Sequence, residues 1–281
     1  RSVPVQALKD FAFTPEQIVL LLSAGETATA ALAKAESAGA WVVDAAGISR
    51  GDESVALIHP LLNAASLNDR DEQDRKVIAV PGAGAAMIAE ALYPLKSQLQ
   101  SVEVVLNQPV SALGKSCVDA AAAQTARLFN GQEPDVDEVT GQRLAFNHLS
   151  SAEALLDSGH NFSELALVLG LRRLLGDEVA LDATINTASV FHGQLANLSV
   201  QLSAEQPLET VRGLLANGAR LEMRERPSAQ DAVGSENTLL GRLRSGLINP
   251  RQVVFCAASD NLRKDVAINC VLIVHLLLKT H

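Results

Sequence analysis

The stretch Val77–Leu92 is the feature that most constrains the fold of this chain. Four β-forming residues run into Pro81, a Gly82-Ala83-Gly84 turn follows, and an apolar run at helical spacing completes the stretch,. This order predicts a strand, a turn and a helix. The start of such a helix directs free backbone N–H groups at the space above the turn, which suits an anion or an activated nucleophile. No Ser, Cys, Thr, His or Asp occurs in the stretch, so it lacks a reactive group.

A βαβ unit is predicted upstream of this stretch. Ile18–Leu22 is a continuous apolar run, Glu26–Ser37 is Ala-rich and helical, and Trp41–Val43 is a second short strand,. Strand, helix and strand within so few residues are typical of doubly wound parallel sheets, whose ligands bind at the carboxyl ends of the strands. Those ends are predicted at Ser23–Gly25, at Asp44–Gly47 and at the central turn.

The second half of the chain predicts a mostly antiparallel sheet with helices on one side. The charged run Asn68–Lys76 is interpreted as a solvated loop that feeds the central strand,. The predicted strands are Val102–Leu106, Val179–Phe191, Leu198–Leu202, Ala219–Met223, Thr238–Arg244 and Gln252–Ala257, and the predicted helices are Ser116–Phe129, Ser163–Leu175, Pro207–Asn217 and Leu262–Lys279,.

These elements predict an α/β protein of two domains. A Rossmann-type domain is expected over residues 1–81 and 258–281, and an α+β domain with a mixed, mostly antiparallel sheet is expected over residues 82–257. A chain of 281 residues is long enough for two such cores,.

Composition excludes several classes of function. With 23 basic and 32 acidic residues, the net charge of −9 disfavours general binding to nucleic acid or to anionic lipid,. Three widely spaced cysteines predict neither a disulfide framework nor a zinc site, and the histidines have no metal-binding spacing,. The spacing of these residues therefore predicts no metal site. No signal peptide or membrane-spanning run is evident, so we expect a cytoplasmic protein.

The order of the turns resembles that of the aspartate-semialdehyde dehydrogenase family, and more closely its Usg-type paralogues. Matching segments run through the whole sequence: LLLSAG at 20–25, WVVDAAGISR at 41–50, HPLLN at 59–63, VIAVPGAGA at 77–85, NQPVSALGK at 107–115, LAFNHL at 144–149, RRLLGD at 172–177, ASVFHGQ at 188–194, GRLR at 241–244 and SDNLRK at 259–264. The resemblance implies that the family's first strand and its G-x-x-G-x-x-G turn precede Arg1.

The resemblance also implies a degenerate active site. Family members attack the aldehyde with a cysteine thiolate, use a histidine as base, transfer hydride to NADP and cleave the thioester with phosphate. Four of the matched positions have lost this chemistry, and three retain it. The cysteine position is Ala83, the base position is Gln194, the substrate arginine falls at Thr187 and a helix lysine at Ala166, whereas Gln108, Glu164 and the phosphate-binding Arg50 are kept.

Binding of NADP or NAD is expected to be weak. Ser23, Ala24, Gly25, Gly114 and Asn261 stand where the family contacts the dinucleotide. Apolar residues replace polar ones at 45–47, Leu113 adds bulk near Gly114, and Asp265 replaces a glycine after NLRK, where a carboxylate is expected to repel phosphate,.

Two functions of different classes follow. The first is a non-catalytic homodimeric paralogue with residual binding of NAD(P) or another small ligand. In the family the second domain makes the dimer through its sheet, and the strands Val179–Val190 and Gln252–Ala257 suit such an interface. The alternative is an active NAD(P)-dependent oxidoreductase on a different aldehyde or acyl substrate.

The alternative function would need a relocated nucleophile or a non-covalent hydride transfer. Cys117 begins a predicted helix after Lys115, where the helix dipole and the lysine could lower its pKa, although a packing role is the simpler interpretation,. Cys256 and Cys270 are expected in the core. His192, close to the base position, is interpreted as a packed or hydrogen-bonded histidine on the opposite face of its strand.

Overall fold

The computed structural model describes residues 4–67 and 75–280. The predicted loop Asn68–Lys76 lies largely outside the described residues. The strands are β1 (Ile18–Leu21), β2 (Trp41–Asp44), β3 (Ala56–Leu57), β4 (Val77–Ala79), β5 (Leu99–Pro109), β6 (His148–Leu149), β7 (Ala180–Ala188), β8 (Gln194–Leu202), β9 (Leu221–Met223), β10 (Thr238–Ser245) and β11 (Gln252–Ser259). The α-helices are α1 (Glu26–Ser37), α2 (Ala83–Leu92), α3 (Lys115–Phe129), α4 (Phe162–Leu175), α5 (Leu208–Ala216), α6 (Ala229–Ala232) and α7 (Asn269–Thr280).

Two compact units divide the chain. The first contains the described residues up to Gly82 and those from Ile268 onward, and the second is Ala83–Ala267. The sequence predicted domain boundaries at 81/82 and 257/258, and that these units are domains remains a prediction. Residues 260–267, which follow β11, belong to the second unit, whereas the sequence placed them in the first domain.

The first unit contains a four-stranded sheet in the order β1-β2-β4-β3, in which every neighbouring pair is parallel. The predicted βαβ unit is β1, α1 and β2. The three residues of β4 are fully buried, as are Val42 and Val43 in β2. Burial of this kind explains why the strands are continuous apolar runs rather than alternating ones.

The second unit contains a seven-stranded sheet in the order β6-β7-β5-β8-β11-β10-β9. Four of its neighbouring pairs are antiparallel, whereas β5 with β7 and β9 with β10 are parallel. Along β5, Val102, Val104 and Leu106 are buried, and the alternate residues Glu103 and Val105 are exposed. One face of the sheet therefore forms the core, and the opposite face is open over β5.

Helix α2 lies on the buried face of this second sheet. All eight of its residues from Ala85 to Leu92 are buried, so it is a core helix rather than an amphipathic one,. A Cβ atom at Gly84 would lie 2.7 Å from Leu106 Cδ2, and one at Gly170 in α4 would lie 3.2 Å from Ala85 Cβ. Glycine at these positions permits the close approach of α2 to β5 and to α4.

The structure differs from the predicted last helix, Leu262–Lys279. A π-helical turn spans Arg263–Ile268, and the α-helix begins only at Asn269. The amide of Asp265 donates to the carbonyl of Asp260, five residues earlier. This wider turn lets the consecutive residues Lys264 and Asp265 both face the interior,. Hydrophobic spacing does not reveal such a turn, and it also missed the two-residue strands β3 and β6.

Candidate functional site

At the carboxyl end of β2, Asp44 organises the turn that follows. Its carboxylate accepts hydrogen bonds from the amides of Gly47 (2.9 Å) and Ser49 (2.7 Å) and from the Ser49 hydroxyl (2.6 Å). Asp44 is fully buried, and these donors replace the water that it loses,. We call Asp44, Ser49 and Arg50 the strand-end cluster.

Arg50 turns back toward the ends of two neighbouring strands. Its Nε donates to the carbonyl of Val80 at 2.6 Å, and its Nη2 donates to the carbonyl of Ala45 at 2.7 Å. A Cβ atom at Gly47 would lie 2.5 Å from Arg50 Nη1, so a side chain there would displace the guanidinium, and the φ of 89° at this position also favours glycine. Burial lowers the pKa of Arg50, and the nearby charge of Asp44 opposes that change. The guanidinium thus ties the ends of β2 and β4 together.

Four polar side chains form a row across the second sheet. Thr187 on β7 pairs with Gln108 on β5, and Gln194 on β8 pairs with Ser259 on β11. Since Asn107 pairs with Leu195, Gln108 and Gln194 are the next positions in the register between β5 and β8. We call these four residues the polar row. Within it, Gln108 Nε2 donates to Thr187 Oγ1 at 3.1 Å, and Gln194 Nε2 donates to Ser259 Oγ at 3.1 Å.

Three buried charged residues adjoin the polar row. Lys264 donates to Glu90 on α2 and to Asp265 Oδ1, the latter at 2.9 Å, and all three side chains are at most 2% exposed. Gln194 Nε2 donates to Asp265 Oδ2 at 2.8 Å, the Ser259 hydroxyl donates to the same oxygen, and the Thr238 hydroxyl donates to Glu90 at 2.7 Å. We call Glu90, Lys264 and Asp265 the ionic cluster.

The ionic cluster overturns one expectation from the sequence. Asp265 was expected to repel a bound phosphate, but its carboxylate is fully buried and paired with Lys264. Burial raises the pKa of Asp265, although Lys264 opposes this effect. For Lys264, burial alone would lower the pKa, but the charges of Asp265 and Glu90 outweigh it and raise the pKa above its ordinary value. The ammonium is therefore strongly held in its charged form.

The positions matched to lost catalytic groups have different surroundings. Ala83 is the first residue of α2, Thr187 and Gln194 are 2% exposed within the polar row, and Ala166 is exposed on α4. Thr187, Gln108 and Gln194 are brought together by the sheet register, and Ala166 is not part of that row. That these positions correspond to catalytic groups that this chain has lost remains a prediction.

Glu164, one of the retained positions, has a structural role. Its Oε2 accepts from the Asn161 amide at 3.0 Å, while Asn161 Oδ1 accepts from the Glu164 amide at 2.9 Å, which is a capping box at the start of α4,. Its Oε1 accepts from the Ile185 amide at 2.9 Å. Both carboxylate oxygens thus attach α4 to its own cap and to β7.

The positions expected to contact a cofactor differ in accessibility. Ser23, Ala24 and Gly25 are exposed before α1, and Gly114 is exposed before α3. Gly25 (φ 102°) and Gly114 (φ 108°) occupy the left-handed region, and no atom lies within 4 Å of a Cβ built on either. In contrast, Asn261 is 2% exposed, accepts from the Gly193 amide at 3.0 Å and donates to Ser111 Oγ at 3.1 Å. Gly25 in the first unit and Gly114 in the second are therefore open turns, whereas Asn261 is bonded within the second unit.

The cysteines occupy the core, as expected. Cys117 is fully buried with Ala121 and Leu144, and its thiol donates to Asp137 Oδ1 at 3.7 Å. Burial raises its pKa, which favours the packing role over the low-pKa nucleophile that the alternative function would need at this position. Burial also raises the pKa of Cys256, and that of Cys270 to about 11.

His192 differs from its prediction. It lies in the turn before β8 and is exposed rather than packed, because β8 begins only at Gln194. Strand periodicity therefore does not apply to its side chain.

Sequence reasoning missed the role of Glu90. A signal was present, since Glu90 is the single charged residue in the otherwise apolar helix α2, and a buried charge of this kind needs a partner. What the sequence does not contain is the partner's identity, because Lys264 lies 174 residues away.

Among the residues that the structure describes, no three His, Cys, Asp or Glu side chains are grouped as metal ligands. No helix within the described ranges is long and apolar enough to cross a membrane.

The fold and the site define a class of protein. A parallel sheet with an exposed glycine turn before α1 and a separate mixed seven-stranded sheet are the features of dehydrogenases of the Rossmann type,.

Comparison with known proteins identifies the family within this class. Residues 78–264 match the model of the semialdehyde dehydrogenase dimerisation domain. Aspartate-semialdehyde dehydrogenase 2 of Vibrio cholerae is 26% identical over all of this chain and 85% of its own length, and the USG-1 protein homolog of Pseudomonas aeruginosa is 30% identical over 99% and 84%. The chain belongs to the semialdehyde dehydrogenase family.

Solved structures agree with the observed fold. The structure of a probable aspartate-semialdehyde dehydrogenase from Pseudomonas aeruginosa superposes with a TM-score of 0.92, at 29% identity over 99% of this chain and 84% of that one. The crystal structure of aspartate semialdehyde dehydrogenase II from Vibrio cholerae gives 0.91, at 26% identity over 98% and 83%. The predicted fold class, α/β with a parallel sheet and a mixed, mostly antiparallel sheet, is confirmed.

Proposed function

We propose that this protein is a catalytically silent member of its family that is kept as a homodimer with weak binding of NAD(P). One observation carries the proposal: at the position matched to the catalytic base, Gln194 is a buried amide whose N–H₂ group donates to Asp265 and Ser259. An amide has no useful proton affinity at neutral pH, so it cannot replace an imidazole as general base. Ala83, at the position matched to the nucleophile, has no group that can form a thioester.

Bound NAD(P) would supply a hydride acceptor. In the first unit, backbone N–H groups at the start of α1, after the exposed Gly25, can approach phosphate oxygens. In the second unit, the same holds for the start of α3 after the exposed Gly114,. Weak rather than tight binding is expected, because apolar residues at 45–47 and the bulky Leu113 stand where the family has polar or smaller residues. Arg50 is matched to the phosphate-binding arginine of the family, and its hydrogen bonds to Val80 and Ala45 already commit two of its donors.

The open face of the second sheet supports the homodimer. Glu103 and Asp182 are opposite each other in the register of β5 and β7, and both are exposed. Like charges in such positions repel unless a cation compensates them. Arg244, exposed on β10 and paired with Val254, lies on the same face at the other side of the sheet. In a two-fold dimer, Arg244 of each copy could face Glu103 and Asp182 of the other.

A turnover assay tests the catalytic part of the proposal. Purified protein is incubated with aspartate semialdehyde, phosphate and NADP, and the formation of NADPH is followed by absorbance. We expect no rate above the enzyme-free background, and a clear rate would overturn the proposal. The Ala83→Cys/Gln194→His variant tests for latent chemistry under the same conditions.

Calorimetry and hydrodynamics test the remaining parts. Titration with NADP and with NAD is expected to give weak binding, and a Gly114→Ala variant is expected to weaken it further.

Sedimentation is expected to give a dimer that the double variant Glu103→Lys/Asp182→Lys disrupts. The control Glu209→Lys, at an exposed position of α5, is expected to leave the dimer intact. A wild-type monomer would contradict the homodimer.

A further inference from the structure

Gln194 differs from Gln108, its neighbour in the polar row, in how firmly its amide is oriented. Gln108 donates to a threonine hydroxyl, which can donate or accept, so its amide could rotate and still be satisfied,. Gln194 donates to the carboxylate of Asp265, whose other oxygen accepts from Lys264. A carboxylate paired with an ammonium only accepts, so the N–H₂ group of Gln194 must face Asp265.

This fixed orientation determines what Gln194 presents to a ligand. The amide nitrogen donates to both Ser259 and Asp265, whereas the carbonyl oxygen accepts no hydrogen bond from any described residue. The side chain is only 2% exposed, but this oxygen is not sealed from solvent. It therefore keeps a small accessible surface, and a group that reaches it must be a hydrogen-bond donor.

The remaining residues of the polar row offer no positive charge. Thr187 is buried and accepts from Gln108, and Ser259 donates to Asp265. Lys264, the nearby cation, is directed into the ionic cluster by Glu90 and Asp265. A ligand carboxylate would thus meet a carbonyl oxygen at Gln194 without a compensating positive charge, which is unfavourable.

We propose that Gln194 is a specificity-determining residue for ligands that present a hydroxyl or ammonium donor to the polar row, and that Asp265 is the positioning residue that fixes this preference. The inference rests on the proposed function, because it concerns the ligand that a silent site would still bind. It goes beyond that function by naming the chemistry of the ligand.

Four carboxylic acids of equal chain length test the preference by ligand-observed NMR titration of the full chain. At the end away from the shared carboxylate, 4-hydroxybutyrate carries a hydroxyl, 4-aminobutyrate an ammonium, butyrate a methyl group and succinate a second carboxylate. We expect 4-hydroxybutyrate or 4-aminobutyrate to bind about fivefold or more tightly than butyrate, the effect of one net hydrogen bond, and succinate to bind most weakly. Equal affinities, or no detectable binding of any probe, would overturn the inference.

Variants separate the two roles. Gln194→Leu is expected to abolish the preference for a donor, and Asp265→Asn to reduce it, because an asparagine can donate to the Gln194 carbonyl and release the amide. The matched control is Gln201→Leu on the open face of β8, where Gln201 donates to Gln100, and it is expected to keep the preference. A preference that persists in Gln194→Leu would contradict the role of this residue.

A second variant and a binding readout separate the possible outcomes of this test. If Asp265→Asn does not fold by circular dichroism, Ser259→Ala removes one of the two acceptors of the Gln194 amide and is expected to reduce the preference to a smaller extent. Because binding rather than turnover is measured, failure of the donor preference is distinguishable from failure of the proposed function. Turnover without a donor preference, and a donor preference without turnover, are separate outcomes.

Discussion

The strand-end cluster of the first unit and the ionic cluster of the second satisfy buried charge in opposite ways. Asp44 bonds within its own turn and reaches no further than Ser49, and Arg50 bonds to the backbone carbonyls of Ala45 and of Val80, 30 residues away. Lys264 instead bonds to side chains, one of them 174 residues away. A local cluster fixes the shape of a loop, whereas a distant one fixes the packing of a core. The difference teaches that the role of Lys264 in the NLRK segment is set by residues distant in the sequence, which the segment itself does not reveal.

Removal of the Lys264 ammonium should have the largest effect. Lys264→Met leaves Glu90 and Asp265 buried without their shared cation, and we expect it to lower the free energy of unfolding by about 3–5 kcal/mol. The matched control is Lys115→Met, whose exposed pair with Asp119 should contribute at most about 0.5 kcal/mol,. Urea unfolding measures both. Similar small losses in the two variants would show that the ionic cluster does not hold the core.

Truncation of Asp44 should have the next largest effect. Asp44→Ala leaves the donors of Gly47 and Ser49 without a buried acceptor, and we expect a loss of about 2–3 kcal/mol in the free energy of unfolding. Asp52→Ala is the control, since Asp52 also accepts from a nearby amide and hydroxyl, those of Ser54, but is exposed. A loss at Asp52 as large as that at Asp44 would remove the distinction that burial makes.

A surface pair in the first unit should have a smaller effect that depends on pH. The hydrogen bond from Arg75 lowers the pKa of Glu36, whose side chain is 27% exposed. A lowered pKa stabilises the folded state above the ordinary value of 4.5, and this contribution is lost as the pH falls through the folded value,. We expect Glu36→Gln to cost about 0.5–1 kcal/mol at pH 7 and to match wild type at acidic pH. Urea unfolding at pH 3 to 7, with exposed Glu53→Gln as control, measures this; a cost that does not change with pH would contradict it.

The cysteine thiols of the two units should not differ in their reactivity toward a thiol reagent. Cys117 and Cys256 in the second unit and Cys270 in the first are all buried with raised pKa values. We therefore expect each to react with an aromatic disulfide reagent at pH 8 only as fast as the protein opens, and fully in urea. A single thiol that reacts rapidly in the native protein would restore the case for a relocated nucleophile.

The parts of the fold that depend on local pattern could be predicted from the sequence. The apolar run of β1, the helix α1 and the turn before α2 were placed to within one or two residues, because period and turn residues act over short distances,. The π-helical turn could not be predicted, since it is set by two buried side chains rather than by spacing. In the site, the polar row needs the register of four strands, and the link from Gln194 to Asp265 spans 71 residues. No single-sequence pattern contains either.

The π-helical turn makes the length of this segment as important as its composition. A helix rotates by about 100° for each residue, so deletion of one residue within Arg263–Ile268 would restore ordinary α-helical bonding and rotate the positions that follow by that angle,. Lys264 and Asp265 could then not both reach the interior. We expect a related chain that lacks one residue of this turn to differ also at Glu90 or Gln194, because the partner of that side chain would no longer face the interior. A change of length in the turn would thus be accompanied by substitutions far from it in the sequence.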